Sequence, residues 1–194
     1  VMADAERLSA EDEPYHREPI TYEAPYLDNL PTAPREKFAA NIAAIQKLKE
    51  IEQRVANGGS PAFEDEQKIL AQYTGWGGLS DAFDPNKSTW SNEYSQLKAA
   101  LSESEYEAAR SSTLTAFYTP ATVIHPIYRA LERFGVKGGK ILEPSMGTGA
   151  FLAHGHFGSS DAKFYGVELD SITGRISKQL YQKASIQVTG YENA

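Results

Sequence analysis

Hydrophobic residues recur every three or four positions from Pro34 onward, which is the spacing of one face of an α-helix. The pattern predicts an amphipathic helix of about six turns that ends at Gly58 and Gly59. Ser60 and Pro61 have the residue types of an N-cap and a first helical position, so a second helix is expected to begin there. The apolar positions of the first helix are Phe38, Ile42, Ile45, Leu48, Ile51 and Val55.

The stretch that follows places three glycines around a tryptophan, in Thr74-Gly75-Trp76-Gly77-Gly78. Glycines break a helix and let the backbone bend around a large indole, so Trp76 is interpreted as a core residue between helices rather than a ligand platform. Two short helices are predicted at residues 93–101 and 103–110, and a capping box of Ser102 with Glu105 begins the second. Residues 34–112 are therefore predicted to be helical.

A further helix is predicted after Thr119-Pro120, and it ends at Gly135. Pro126 lies inside this helix and is expected to kink it or to split it in two. Its apolar residues are expected to share one face, and they are Val123, Ile124, Ile127, Tyr128, Leu131 and Phe134.

The period of the pattern changes after residue 139, where short apolar runs alternate with helical stretches. Runs at residues 140–143, 163–168 and 186–188 predict three strands. Strands that alternate with helices form a right-handed parallel unit. The predicted fold class is therefore α/β, with an all-helical N-terminal region followed by three parallel strands that form the first half of a Rossmann-like fold.

The first 33 residues are rich in Glu, Pro and Asp and have no sustained periodicity, so they are predicted to be a tail or linker. The predicted organisation is a tail at 1–33, a helical region at 34–112 and a partial α/β domain at 113–194. One apolar stretch of the tail is expected to lie across a neighbouring surface, and it contains Ile20, Tyr22, Tyr26, Leu27 and Leu30.

Charge is divided unevenly along the chain. Residues 1–112 hold 11 Lys and Arg against 20 Asp and Glu, a net charge of −9, whereas residues 113–194 hold 8 against 6, a net charge of +2. An acidic front half cannot neutralise phosphates, so contacts with DNA are expected only from local patches, the second half or sequence outside this chain.

The absence of cysteine excludes disulfides and Cys-based zinc sites. No apolar run reaches about 18 residues and no signal-peptide layout is present, so a cytoplasmic location is expected.

The candidate chemistry lies where the first predicted strand passes into a helix, in Glu143-Pro144-Ser145-Met146-Gly147-Thr148-Gly149. Gly147 and Gly149 allow the backbone to approach a ligand closely, although a plain tight turn uses the same residues. Glu143 suits a cationic ammonium group and would repel a pyrophosphate. Leu152 stands where a dinucleotide-binding fingerprint has its third glycine.

Glu168 ends the next predicted strand, where a carboxylate accepts hydrogen bonds from two ribose hydroxyls. An ordinary solvated acid at a strand end is the alternative interpretation. Together with the glycine loop, Glu168 predicts a ligand that combines adenosine with an ammonium group, rather than NAD.

The segments Glu-Pro-x-x-Gly-x-Gly-x-Phe at 143–151 and Gly-Val-Glu-Leu-Asp at 166–170 resemble motifs I and II of the amino-group DNA methyltransferases. Phe117-Tyr118-Thr119-Pro120 resembles the motif that precedes them in the adenine class. With Asn41-Ile42-Ala43-Ala44-Ile45 and the glycine-tryptophan stretch, the chain is similar to large bacterial methylase and helicase fusion proteins of plasmids, phages and conjugative elements. The resemblance implies an S-adenosylmethionine-dependent methyltransferase fold and methyl transfer to the exocyclic amine of adenine in DNA.

The resemblance also implies a role for each matching residue. Thr119 would lie near the cofactor carboxylate, unless it is only a helix N-cap. Glu143, Gly147 and Gly149 would surround the methionine moiety, and Glu168 would bind the ribose. The cofactor implied is S-adenosylmethionine.

Either Tyr191 or Glu192, which follow the third strand, would contact the adenine ring. No catalytic residue and no metal ligand is predicted. Asp170 is interpreted as an N-cap, and His154 and His156 as residues of a loop. The predicted cofactor-binding residues are Tyr118, Thr119, Glu143, Pro144, Ser145, Gly147, Gly149, Glu168, Tyr191 and Glu192.

Enzymes of this class hold the amine of a flipped adenine with an Asn/Asp/Ser-Pro-Pro-aromatic segment. No such segment occurs in the 194 residues, so the chain alone is expected to bind the cofactor weakly and to transfer no methyl group, and DNA would be bound by a downstream region. The first strand is expected to have an open edge, which the helical region, the tail or a second copy of the chain would cover.

Three functions stay open on the sequence alone. The chain is the N-terminal part of a DNA adenine methyltransferase, or a partner-docking or antirestriction module on a degenerate methylase fold. The third is a fragment of an RNA or small-molecule methyltransferase, which shares the cofactor motifs.

Overall fold

A computed structural model describes residues 18–21, 30–155 and 162–194 of the chain. Within these ranges the fold contains seven α-helices, short 3-10 turns and one three-stranded sheet. The helices and strands, in chain order, are α1 (Pro34–Ala56), α2 (Glu64–Leu70), α3 (Ser91–Ala100), α4 (Glu103–Ser112), α5 (Ala121–Arg133), β1 (Gly139–Glu143), α6 (Ala150–His154), β2 (Ala162–Glu168), α7 (Ser171–Leu180) and β3 (Ser185–Val188).

Helices α1, α3 and α4 lie where helices were predicted in the front half of the chain, so these three predictions are confirmed. The apolar face of α1 is buried, with Ile45, Leu48 and Ile51 inaccessible to solvent. Trp76 is 1% exposed, and its ring meets Phe83 edge-on with 5.3 Å between the centroids, so its interpretation as a core residue is confirmed.

The predicted capping box begins α4. The Glu105 N–H donates to Ser102 Oγ at 3.2 Å, and the Ser102 N–H donates to Glu105 Oε2 at 2.9 Å. These two bonds satisfy backbone donors that the first turn of a helix leaves without partners.

The predicted start of the second helix at Ser60-Pro61 is wrong, because α2 begins at Glu64 with Phe63 as its N-cap residue. The carbonyls of Ser60 and Pro61 accept hydrogen bonds from the Arg54 guanidinium, at 3.0 and 3.3 Å. A helix that started at Pro61 would need these carbonyls for its own N–H groups. The pairing with Arg54, six and seven positions earlier in the chain, therefore overrides the N-cap signal of Ser60 and Pro61.

Helix α5 is one continuous helix with Pro126 inside it, so the predicted split does not occur. At about 100° per residue, the six apolar residues lie within an arc of about 140°, so they share one face as predicted. Only part of this face is covered by the described residues, because Ile124 and Tyr128 are buried whereas Val123, Ile127 and Phe134 are exposed.

The sheet confirms the predicted α/β class. All three strands are parallel in the order β1-β2-β3, with Glu143 paired to Gly166 and Glu168 to Val188. Helix α7 packs on β2 and β3 and buries its apolar face, which contains Ile172, Ile176 and Leu180. Among the described residues β1 pairs with β2 alone, so the expected open edge is present.

The described part of the tail lies against the turn between α7 and β3. The Gln182 N–H donates to the Ile20 carbonyl at 3.1 Å, and the Ile20 N–H donates to Gln182 Oε1 at 3.1 Å. Thr21 forms an isolated antiparallel bridge with Tyr181. Ile20 thus binds a neighbouring surface as expected, at a place other than the β1 edge, while three other apolar positions of this stretch, at 22, 26 and 27, lie outside the described residues.

The helical region and the sheet share one hydrophobic core. The same cluster of buried residues contains Leu48 of α1, Leu97 of α3, and Ile176 and Leu180 of α7. Polar contacts join the two parts as well, since the Gln67 amide on α2 donates to the Gln179 carbonyl at 2.8 Å. No helix in the described ranges is long and apolar enough to cross a membrane.

Candidate functional site

The loop between β1 and α6 is shaped by two glycines with left-handed backbone. Gly147 has φ of 55° and Gly149 has φ of 80°, which side-chain-bearing residues rarely adopt. The Met146 N–H donates to the Val167 carbonyl at 3.0 Å, and Ser177 Oγ donates to the Gly147 carbonyl at 2.9 Å. The loop is therefore fastened to both β2 and α7.

Glu168 at the end of β2 lies directly beside this loop. Its carboxylate accepts the Gly147 N–H at 2.8 Å through Oε2 and the Asp170 N–H at 2.8 Å through Oε1. Burial raises the pKa of Glu168 above its usual value. The backbone hydrogen bonds act in the opposite direction, but they offset the effect of burial only in part. Glu168 is thus a half-buried carboxyl with lone pairs left for further donors.

Tyrosine rings lie against both glycines. A Cβ atom on Gly147 would stand 2.8 Å from two ring atoms of Tyr118, and one on Gly149 would stand 2.2 Å from the ring of Tyr181. The fold itself therefore requires glycine at both positions. Their contact with a cofactor stays a prediction.

Tyr118 also reaches the helical region. A Cβ atom on Gly75 would lie 2.7 Å from the Tyr118 hydroxyl oxygen. The Gly75 carbonyl accepts the Asn41 amide at 2.6 Å, and the Thr74 N–H donates to Asn41 Oδ1 at 2.8 Å. Since Asn41 is completely buried in α1, the turn at Gly75 is held at a defined distance from the Tyr118 ring.

A cavity of about 470 Å³ lies where these parts meet. One side comes from the helical region and the segment before α5, and the other from the glycine loop, the end of β2 and the start of α7. The lining residues are Tyr73, Gly75, Ala108, Ser111, Ser112, Thr115, Ala116, Phe117, Tyr118, Ser145, Gly147, Glu168, Leu169, Asp170 and Thr173.

The structure brings four of the predicted cofactor residues together in this cavity: Tyr118, Ser145, Gly147 and Glu168. Tyr191 lines a different cavity, on the sheet face formed by alternate residues of the three strands. The remaining predicted residues line neither cavity, and they are Thr119, Glu143, Pro144, Gly149 and Glu192.

The structure gives further information on two of the predicted cofactor residues, Thr119 and Glu143. Pro120 is the N-cap residue of α5, so the alternative in which Thr119 caps the helix is wrong. Burial raises the pKa of Glu143. Burial, followed by the charge of Glu143, raises the pKa of Tyr128 to about 12, and the Tyr128 hydroxyl donates to the Phe151 carbonyl at 2.6 Å.

Sequence reasoning missed two apolar residues at this cavity. Phe117 is 70% exposed and Leu169 is 76% exposed, which is unusual for large apolar side chains. The position of Leu169 directly after Glu168 was a signal that could have identified it. The prediction for Asp170 is confirmed, because its carboxylate accepts the Thr173 N–H at 2.8 Å and caps α7.

The interpretation of His154 as a loop residue is wrong. It lies at the end of α6 and is buried, and its Nδ1 is 3.0 Å from Nε2 of His125 on α5. The position of its predicted companion at 156 lies outside the described residues. Across the described chain, no three His, Asp or Glu side chains come together as a metal site.

The lining of the cavity suits a nucleoside better than a phosphate. The carboxylates of Glu168 and Asp170 and several hydroxyls offer hydrogen bonds, and Phe117 and Leu169 offer apolar surface for a base. Neither Lys nor Arg occurs among the lining residues that the structure describes. Two carboxylates without a neighbouring cation repel phosphate oxygens.

Comparison with known proteins relates the chain to a phage protein. Over 177 residues, or 91% of this chain, it is 27% identical to the "Defense against restriction protein B" of Escherichia phage P1. The chain spans only 6% of the length of that relative. No protein-family model matches the chain, and no solved structure matches it. The chain is therefore similar, along nearly its whole length, to a small part of a protein named for defence against restriction.

Proposed function

We propose that this chain is part of an antirestriction protein, where it serves as a partner-docking module on a methyltransferase-like half fold. The supporting observation is that the likeness to the phage P1 protein extends over 91% of the chain. A likeness confined to the glycine loop would be expected for methyltransferases in general. The likeness observed here also includes the helical region. It therefore points to the helical region and the α/β part together, and these two parts share one core.

The charge distribution supports a protein as the partner, rather than DNA. Residues 1–112 carry a net charge of −9, and binding to DNA depends on cations that neutralise phosphates. A net negative charge repels the duplex but suits a partner with a basic surface.

Deleting the coding sequence of this chain from the genome that carries it tests the antirestriction role. DNA delivery from the deleted and the unchanged genome is compared in recipients with and without an active restriction system. We expect the deletion to reduce survival of the incoming DNA in the restricting recipient only. Equal survival of both genomes in that recipient would contradict the proposal.

A second function is favoured by the geometry of the cavity beside Glu168. We propose that this cavity binds S-adenosylmethionine, as expected of the N-terminal part of a DNA adenine methyltransferase. Glu168 would accept the ribose hydroxyls, and Gly147 would lie beside the methionine moiety. The support is the convergence of Tyr118, Ser145, Gly147 and Glu168 on one cavity that has no described basic residue in its lining.

Calorimetric titration of the full chain tests this second function. S-adenosylmethionine is expected to bind weakly, and NAD and ATP are not expected to bind. Glu168→Gln should weaken binding about tenfold, because a neutral amide is a poorer acceptor than a carboxylate. The matched control is Glu132→Gln, an exposed acid of α5 outside the cavity, which should bind like the unchanged chain.

Two results would contradict the cofactor assignment. One is the absence of any heat with S-adenosylmethionine, and the other is equal affinity in Glu168→Gln and the unchanged chain. Because the 194 residues contain no Asn/Asp/Ser-Pro-Pro-aromatic segment, labelled cofactor should leave no label on adenine-containing DNA.

A further inference from the structure

Helix α7 holds one wall of the cavity beside Glu168. Thr173, in the first turn of α7, lines the cavity, and the buried Ser177 donates its hydroxyl to the Gly147 carbonyl at 2.9 Å. Because Gly147 belongs to the glycine loop, the position of α7 determines where this wall lies. We call it the α7 wall, formed by Gly147, Glu168, Asp170 and Thr173.

The end of α4 and the turn after it form another wall of the same cavity. Its residues, which we call the α4 wall, are Ala108, Ser111, Ser112 and Thr115. The last three follow Ala108 by three, four and seven positions, so they share one side of a helix. Helical hydrogen bonding continues past α4, since the Ala116 N–H donates to the Ser112 carbonyl at 2.8 Å. A shift of α4 therefore moves this wall as a unit.

One ion pair joins the helices that carry the two walls. The Arg175 guanidinium on α7 donates to Glu105 Oε1 on α4 at 2.7 Å, and Glu105 lies about one turn before Ala108. The side chain of Glu105 is 10% exposed and that of Arg175 is 25% exposed, so salt screens this pair less than a surface pair. The other Arg175 donors bind Glu52 of α1 at 2.7 Å each, which restricts the orientation of the guanidinium.

We propose that Arg175, through its ion pair with Glu105, sets the spacing between the α4 wall and the α7 wall, and thereby the affinity of the cavity for its ligand. Arg175 is a positioning residue, because neither it nor Glu105 lines the cavity. The inference rests on the proposed binding of S-adenosylmethionine in this cavity. It gives the helical region a part in ligand binding that no residue of the α/β part supplies.

The substitution Glu105→Gln tests the proposal with little change to α4 itself. Glutamine also serves in a capping box, so it can still accept the Ser102 N–H, while its amide nitrogen replaces the oxygen beside Arg175. Without the pair, only some molecules hold the α4 wall in the binding position. In calorimetric titrations with S-adenosylmethionine, the dissociation constant should rise about three- to tenfold, as expected for a competent fraction of about one third to one tenth.

Glu52→Gln is the matched control. Glu52 also pairs with Arg175, but it lies on α1 and carries no part of the α4 wall. This variant should melt at a lower temperature, as Glu105→Gln does, because each loses one partner of the same guanidinium. It should bind S-adenosylmethionine like the unchanged chain, since Arg175 keeps its bond to Glu105. All titrations are made well below the melting temperature of each variant.

A distance measurement tests the spacing without any ligand. The chain contains no cysteine, so nitroxide labels can be attached at Arg110→Cys on α4 and Lys178→Cys on α7, both exposed positions. Double electron–electron resonance should give a narrow distance distribution in the labelled chain and after Glu52→Gln. The distribution should broaden after Glu105→Gln.

Three results would overturn the inference. Equal affinity of Glu105→Gln and the unchanged chain would show that the pair has no effect on binding. Equal weakening by Glu52→Gln would attribute the loss to stability in general, and an unchanged distance distribution after Glu105→Gln would show that the pair does not set the spacing. A failure of the proposed cofactor site is distinguishable from these, because the unchanged chain would then give no heat with S-adenosylmethionine.

Discussion

Glycines and tyrosine rings meet at three places around the candidate site. Tyr118 contacts Gly147 with its ring and Gly75 with its hydroxyl, and Tyr181 contacts Gly149 with its ring. At each glycine the backbone is left-handed and a side chain would also collide with the ring. At the residue scale, these glycines serve the packing of the protein whether or not a ligand binds.

Gly149→Ala should lower the free energy of unfolding by about 3 kcal/mol, from left-handed strain and overpacking against Tyr181 together. Gly58→Ala is the matched control, because Gly58 has φ of 84° but a Cβ atom there would meet no other atom within 4 Å. The control should cost only the strain, about 1 kcal/mol. Urea denaturation of both variants measures the difference, and equal losses would show that the Tyr181 contact contributes nothing.

At the element scale, an ion-pair network joins α7 to the helical region. The Arg175 guanidinium on α7 donates to both carboxylate oxygens of Glu52 on α1, at 2.7 Å each. It also donates to Glu105 of α4 at 2.7 Å, and Lys49 of α1 lies 2.9 Å from the other oxygen of Glu105. The paired geometry of an Arg with a carboxylate fixes the orientation of the helices as well as their distance.

This network predicts an acid-sensitive stability. Burial by itself raises the pKa of Glu105, but hydrogen bonds from Arg175, the Ser102 N–H and Lys49 outweigh burial and lower it to about 2. Because the folded pKa lies below the unfolded value, the stabilisation is complete above the usual value of 4.5 and is lost as the pH falls toward 2. The free energy of unfolding should therefore decrease across this interval.

Glu105→Gln should lower the free energy of unfolding at pH 7 by about 2 kcal/mol and flatten its decline between pH 4.5 and 2. Glu107→Gln, an exposed residue of the same helix, is the control and should keep the full decline. Urea denaturation over this pH range measures both. If the free energy of unfolding of Glu105→Gln declines with pH as steeply as that of the unchanged chain, Glu105 is not the source of the acid sensitivity.

At the scale of the whole molecule, the helical region and the α/β part behave as one packed body in the described residues. Most of their buried residues form one cluster, which runs from Phe38 on α1 to Ile186 on β3, and Ile124 and Tyr128 of α5 form a second, smaller one. The predicted boundary at residues 112 and 113 therefore does not divide the hydrophobic core. The Gly78 N–H even donates to the Thr113 carbonyl at 3.1 Å across that boundary.

A shared core predicts a single cooperative unfolding transition for the chain. In differential scanning calorimetry, the calorimetric enthalpy should equal the van't Hoff enthalpy, because neither part can lose its packing without exposing the other. A substitution in the helical core, such as Leu97→Ala, should shift the whole transition to lower temperature. Two separate transitions, with only one affected by Leu97→Ala, would show that 34–112 and 113–194 fold independently.

The sequence by itself determined the features that depend on neighbouring residues. The period of the apolar positions specified α1, the Ser102 and Glu105 side chains specified the start of α4, and Asp170 specified the start of α7. These signals act over three or four residues, within one helical turn or one strand. The order of strands and helices likewise followed from short apolar runs.

Only the tertiary structure decided the features that join residues of different elements. The Arg54 guanidinium donates hydrogen bonds to the carbonyls of Ser60 and Pro61, and no helix begins there. The walls of the cavity bring Tyr73 beside Glu168, although no local pattern relates the two. The physical reason is that burial, pairing of charges and the space beside a glycine depend on what the folded chain places next to each residue.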